Sequence, residues 1–116
     1  MDLRALCLGF TGAEETYPFG PNTTVFKVRG KIFAIAALDA EPPSISLKCE
    51  PAHAQFLRDS FPAVRPGYHL NKEHWNTVTL EGSIADDGIC AMIDESYRLV
   101  AGSLSKAAQR RLAGEG

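Results

Sequence analysis

Apolar positions recur along this chain with two different spacings. From Thr24 to Arg29 they alternate, Phe26 and Val28 to one side and Val25, Lys27 and Arg29 to the other, the two-residue period of a strand. Gly30 follows as a turn residue for which a positive φ is cheap. Lys31 to Leu38, rich in β-branched and aromatic side chains, is then the return strand of a hairpin. Asp39 to Pro43 turns the chain. Ser44 to Cys49 alternates again, with Ile45, Leu47 and Cys49 opposed to Ser46 and Lys48, and Trp75 to Leu80 sets Trp75, Thr77 and Thr79 against Asn76, Val78 and Leu80.

Elsewhere the period is helical. Ile89, Met92, Ile93, Tyr97, Val100 and Leu104 form one apolar stripe, which predicts a helix over 86–102. Asp86 and Asp87 sit at its positive end, and Asp94 lies four residues before Arg98. A shorter helix is predicted over 51–60. Pro51 suits its first position, Glu50 is a weaker N-cap than Asp or Ser, and Phe56 and Leu57 are expected to point inward. Residues 2–8 predict one or two helical turns, Thr11 with Glu14 a short capped turn around 12–16, and 105–112 a last short helix carrying Lys106, Arg110 and Arg111. The order is helix, three strands, helix, one or two strands, helices. That is α+β: a mostly antiparallel sheet with helices packed on one face.

At 116 residues, with 45% hydrophobic and 22% charged positions, the chain reads as a single globular domain over 1–116 without linkers or repeats. Its longest apolar run, Ile32 to Leu38, is far short of the roughly 20 residues that span a bilayer. No apolar stretch of signal-peptide type follows Met1-Asp2-Leu3-Arg4. Cys7, Cys49 and Cys90 are odd in number and widely spaced, so they are read as free thiols of a reducing cytoplasm rather than a disulfide framework. The expectation is a cytoplasmic protein with no membrane partner.

Basic residues number 12 against 14 acidic, a net charge of −2, which is more acidic than a typical nucleic-acid binder. The distribution is uneven. Between Lys27 and Lys72 stand Lys27, Arg29, Lys31, Lys48, Arg58, Arg65 and Lys72 against Asp39, Glu41, Glu50 and Asp59, so seven minus four leaves +3. A basic centre in an acidic chain fits a local anionic partner, and also charges interspersed for solubility.

Candidate chemistry is sparse. His69 and His74 lack a third ligand and flank Lys72, which would repel a metal ion, so no metal site is expected there. Cys49 and His53 could form a thiolate pair, but Cys49 falls on the apolar side of its strand and is expected to be buried and inert. Glu14-Glu15 reads as a solvated turn. No nucleophile elbow, P-loop or dinucleotide fingerprint occurs, so the reading is non-enzymatic, with no catalytic residue and no cofactor. Lys27, Arg29 and Lys31 crowd a hairpin tip, where they can lie along phosphates or guard an edge against strand pairing. Arg65 to Val78 gathers Tyr68, His69, Asn71, His74, Trp75 and Asn76 around Lys72. Such side chains can contact bases and phosphates, or form a satisfied polar loop with Trp75 buried beneath.

These residues carry a resemblance. Phe26-Lys27-Val28-Arg29-Gly30-Lys31-Ile32-Phe33-Ala34 resembles the hairpin motif of the MmcQ/YjbR family of small bacterial proteins, and Ser46-Leu47-Lys48-Cys49 resembles its next strand. Pro66 to Val78 is similar to its signature loop, Ser96-Tyr97-Arg98-Leu99-Val100 to its C-terminal helix, and Leu8-Gly9 through Phe19-Gly20 to its opening. The resemblance implies an α+β fold likened to that of frataxin/CyaY, and double-stranded DNA as partner through a "double wing" of hairpins. It carries that role onto Lys27, Arg29, Lys31 and Lys48, and onto His69, Asn71, Lys72, His74 and Asn76 in the signature loop. The chain departs from the family at Glu73, often basic in members, which removes positive charge from that surface, and at Glu50, often Asp. Two rivals stand beside DNA. One is a small-molecule or metal ligand, as in frataxin-like iron binding with Glu14 and Glu15 the early acids, or ligand sequestration as in a mitomycin-cluster member. The other is a protein-interaction module docking through the polar loop.

Overall fold

The fold grows outward from the predicted hairpin. In the computed structural model, which describes residues 1–114, β2 (Thr24–Val28) and β3 (Lys31–Ala37) pair antiparallel, and β4 (Ser44–Lys48) adds to β3. Next come β6 (Trp75–Thr79) and, outermost, β5 (Val64–Pro66), while β1 (Ala13–Thr16) closes the other edge. The six strands run in the order β1-β2-β3-β4-β6-β5, and every neighbouring pair is antiparallel. Strand β1 replaces the capped turn expected at 12–16. Four residues are too few to display a period, and the open edge of β2 offers their backbone groups partners, from Ala13 opposite Val28 to Thr16 opposite Val25.

A bulge sets which side chains face where. Phe26 pairs with Ala34, but the next residue, Lys27, pairs with Ile32, leaving Phe33 as an extra residue on β3. Phe33 and Ala34 are thereby both fully buried, although neighbours on a regular strand would face opposite ways. Phe33 packs edge-on against Phe10 and Tyr97. The local irregularity exposes polar backbone, and Ser96 covers it: its hydroxyl donates to the Phe33 carbonyl (2.5 Å) and accepts from the Lys48 N–H (2.8 Å). This explains a fully buried serine within the apolar stripe of the long helix.

From the register, one face of the sheet carries Phe26, Ala34, Ala36, Ile45, Leu47, Val64, Asn76 and Val78, and its apolar members join the core cluster with Ile89, Met92, Ile93 and Val100. Helix α3 (Asp86–Gly102) lies against β2, β3 and β4, α2 (Pro51–Ser60) against β5 and β6, and α1 (Leu3–Leu8) beside β1. Short α4 (Lys106–Leu112) follows, capped by Ser105. The architecture is α+β with helices on one face, and none of the described helices is long and apolar enough to cross a membrane. The stripe of α3 packs as its spacing predicts. Helix α2 does not: Ala54 and Leu57 are buried, whereas Phe56 is 62% exposed. Adjacent helical residues diverge by about 100°, so Phe56 cannot share the stripe of Leu57, and the small Ala54 takes its place.

Candidate functional site

Because all pairs are antiparallel, β2 and β4 end, and β3 and β6 begin, at one end of the sheet, where β5 also ends. The hairpin turn at Arg29-Gly30, the β4–α2 junction at Cys49-Glu50 and the loop 67–74 therefore stand side by side. Two stretches far apart in the chain are brought to one edge, but the predicted contact residues fare differently there.

On the face opposite the core cluster, the register aligns Lys27, Lys48 and Arg65 with Val25, Ile35, Ser46, Thr77 and Trp75. Strands are about 5 Å apart, so Lys27 and Lys48 are separated by roughly 10 Å, and Arg65 stands roughly 10 Å further on. Among the described residues, ion pairs join Arg4 to Glu15, His53 to Glu95 and Arg98 to Asp94. No described carboxylate lies within 4.0 Å of Lys27, Arg29, Lys48 or Arg65, although Glu14 stands opposite Lys27 in the ladder. Arg65 was absent from the predicted set; its alternation with buried Val64 was the signal that pointed outward.

Arg29 does not share a strand face with Lys27 as the alternation suggested. It occupies the two-residue turn, with φ at 49°, followed by Gly30 at 83°. Two consecutive positive φ values are what a tight hairpin turn of this hand requires, and Asn, Asp or Gly normally fills the first position. An arginine there sits in the left-handed region at a cost of about 1–2 kcal/mol. Lys31 departs from the group: the bulge turns it to the face of Val28, where Nζ donates to the carbonyl (3.3 Å) and hydroxyl (3.4 Å) of Ser103 at the end of α3.

Two side chains of the signature loop, Asn71 and Lys72, serve the loop's own backbone. Asn71 Oδ1 accepts from the N–H groups of Glu73 (2.9 Å) and His74 (3.2 Å), and Lys72 Nζ donates to the Gly67 carbonyl (3.0 Å). Asn76 is only 2% exposed; its Oδ1 accepts from Arg58 Nη1 (2.8 Å), and its Nδ2 donates to the Ala54 carbonyl (3.3 Å). Asn76 therefore leaves the set of residues a ligand can reach: from β6 it faces the core side, toward α2. The half-buried His74 holds the junction through its carbonyl, which accepts from Cys49 N–H at 2.7 Å. Trp75, expected beneath the loop, is only half-buried, on the face of Lys48. His69 is exposed with φ at 58°, its ring 4.0 Å from that of Tyr68.

On the covered side, Cys49 and His53 meet a third residue. Glu95 Oε2 accepts from Cys49 Sγ and from Glu50 N–H, both at 3.2 Å, while Oε1 lies 2.6 Å from His53 Nδ1, itself 3.5 Å from Cys49 Sγ. One ring nitrogen thus faces both thiol and carboxylate. A nucleophile–base–acid relay needs the two different nitrogens. Burial, with the adjacent Glu95, pushes the Cys49 thiol up to about 12, which favours the protonated thiol near neutral pH. Glu95 lies 42 positions beyond His53, and no local pattern ties it to the Cys49–His53 pair.

The chain is 35% identical to the Escherichia coli O157:H7 protein YbdF over 109 residues, covering 94% of this chain and 89% of that one. It is 38% identical to YjbR of Escherichia coli K12 over 97 residues, with 84% and 82% covered. Both relatives are described as uncharacterized. The crystal structure of Deinococcus radiodurans DR2400, with a domain described as DUF419, superposes with a TM-score of 0.91 at 36% identity, covering 97% of this chain and 86% of that one. A Pseudomonas syringae protein superposes at 0.70 with 26% identity, covering 86% and 99%. The family model described as YjbR matches residues 8–99, from the end of α1 through most of α3, and this chain belongs to the YjbR family.

Proposed function

We propose that the helix-free face of the sheet, with the hairpin turn at its end, binds the phosphate backbone of double-stranded DNA without performing chemistry on it. One observation carries the reading. Lys27, Lys48 and Arg65 share the face that bears no helix, and none has a described carboxylate within 4.0 Å. Arg29 adds a further cation at the tip, held in a backbone conformation that a neutral turn residue would occupy at less cost. Trp75 lies directly opposite Lys48 on the same face, an apolar surface beside a cation that suits a sugar or base edge. The contact set narrows accordingly to Lys27, Arg29, Lys48 and Arg65, with His69 and His74 at the rim. Lys31 ties the hairpin to the end of α3, Asn71 and Lys72 hold the loop's own backbone, and Asn76 is taken up by Arg58 and the Ala54 carbonyl of α2.

Fluorescence anisotropy with labelled duplex DNA between about 50 and 200 mM salt tests this. With about four phosphates engaged, the log–log slope of affinity against salt is expected near −3 to −4. Replacing Lys27, Lys48 and Arg65 together by Gln should remove about three units of that slope. Binding whose slope is unchanged in the triple variant, or absence of binding at the lowest salt, overturns the proposal.

A further inference from the structure

The cluster on the covered side has a composition and spacing that phosphate binding leaves unused. We propose that Cys49 Sγ, His53 Nδ1 and Glu95 Oε2 form a three-ligand site for a borderline divalent cation of the zinc class, with a fourth position open to solvent. The site stands apart from the helix-free face and does not depend on DNA binding there.

Sulfur, imidazole nitrogen and carboxylate oxygen are the three donor types zinc takes, and catalytic or exchangeable sites commonly use three protein ligands. One ligand atom from each residue can be chosen so that all lie within 4.8 Å of one another. For bonds of about 2.3 Å to sulfur and about 2.0–2.1 Å to nitrogen and oxygen, a tetrahedral ion separates its ligands by roughly 3.6 Å (sulfur to nitrogen or oxygen) and roughly 3.4 Å (nitrogen to oxygen). The Sγ–Nδ1 separation is 3.5 Å and the Sγ–Oε2 separation 3.2 Å, so the sulfur side is already near the required spacing. The 2.6 Å contact from Nδ1 to Oε1 is a hydrogen bond that gives way when Oε2 takes the ion and the ring proton resides on Nε2.

The surroundings fit the charge. Thiolate and carboxylate together contribute −2, so a divalent ion makes a neutral centre, and the thiol proton is released to solvent as the sulfur–metal bond forms. Neutrality matters because the site abuts the positive end of α2. Glu50 N–H already fixes Oε2 at 3.2 Å, the outer hydrogen bond that orients a ligating carboxylate. Access is available as well: the side chains of His53 and Glu95 are 43% and 25% exposed, and Cys49 reaches out from beneath at 5%. A cavity of about 10 Å³, room for roughly one water, adjoins Cys49 and Glu95.

The experiment uses the full chain, stripped with chelator and titrated with Co²⁺ as a spectroscopic stand-in for zinc. The expected result is one-to-one binding with a near-ultraviolet thiolate-to-cobalt charge-transfer band and visible bands of tetrahedral intensity, displaced by Zn²⁺. Cys49→Ser should abolish the charge-transfer band, His53→Gln and Glu95→Gln should each weaken binding at least about tenfold, and Cys90→Ser should change nothing. His53 is exposed, so its variant keeps the test meaningful if the Cys49 variant fails to fold. Absence of a charge-transfer band at saturating Co²⁺, a band that survives Cys49→Ser, or a band lost in Cys90→Ser overturns the proposal.

Discussion

The hairpin 24–37 and the loop 67–74 look alike as sequence, each a polar and cationic stretch beside aromatic residues, yet the fold uses them in opposite ways. On the hairpin, Lys27 stands without an acidic partner within 4.0 Å, and Arg29 keeps a backbone conformation that suits it poorly. In the loop, Asn71, Lys72 and the adjoining Asn76 serve the loop's own backbone, α2 and Arg58. The difference is one of backbone accounting. Ladder bonds satisfy a hairpin's main chain and leave its side chains free, whereas an irregular loop must satisfy its main chain with the side chains it carries. A polar side chain in such a loop is weak support for a ligand contact until its partners are known.

High pH should produce the largest effect, and should locate it on the covered side rather than in either polar segment. Burial raises Cys7 from 9.0 to about 12, and burial with Glu95 does the same for Cys49. The unfolded chain ionises these thiols first, so their contribution to stability is whole below pH 9.0 and is lost as pH climbs toward about 12. Urea midpoints measured across that window should fall, and Cys7→Ala should make the fall shallower; a slope equal to that of the parent chain breaks the assignment.

Asn76→Ala comes next, at about 2–3 kcal/mol of lost stability, because it strips partners from Arg58 and the Ala54 carbonyl inside the fold. Equilibrium denaturation reads this directly. A loss of DNA affinity with stability intact would instead return Asn76 to the contact set and erase the contrast. Gly67→Ala should cost about 1–2 kcal/mol, since an added Cβ would lie 2.7 Å from Trp75 Cβ and 3.0 Å from its carbonyl oxygen. Its thermal midpoint should drop while the hairpin's amide exchange stays protected.

Arg29→Gly should act in two directions and is the smallest of these effects on stability. Relief of the left-handed arginine, offset in part by the entropy of glycine, should stabilise the fold by about 0.5–1 kcal/mol. Loss of one phosphate contact should lower the salt slope by about one. A variant that gains stability and keeps the full slope would show that the tip lies outside the contact surface.

What could be read from residues alone was what repeats. The alternation of β2, β3, β4 and β6, Pro51 at the start of α2 and the stripe of α3 carry the class of fold, since a periodic burial pattern is written locally. Strand β1, the outward turn of Phe56 and the departure of Lys31 were not readable. Each depends on a neighbour supplied by distant chain: the open edge of β2, the small Ala54 that packs where Phe56 does not, and the bulge at Phe33. The same holds for function. Composition and motif identified a basic hairpin, but register alone joined Lys27 and Lys48 to Arg65 on one face, and only the closure of α3 over the β4–α2 junction brought Glu95 to Cys49 and His53. Local periodicity is a property of the chain; which side chains converge is a property of the packed molecule, because hydrogen-bond register and helix docking are settled between segments rather than within them.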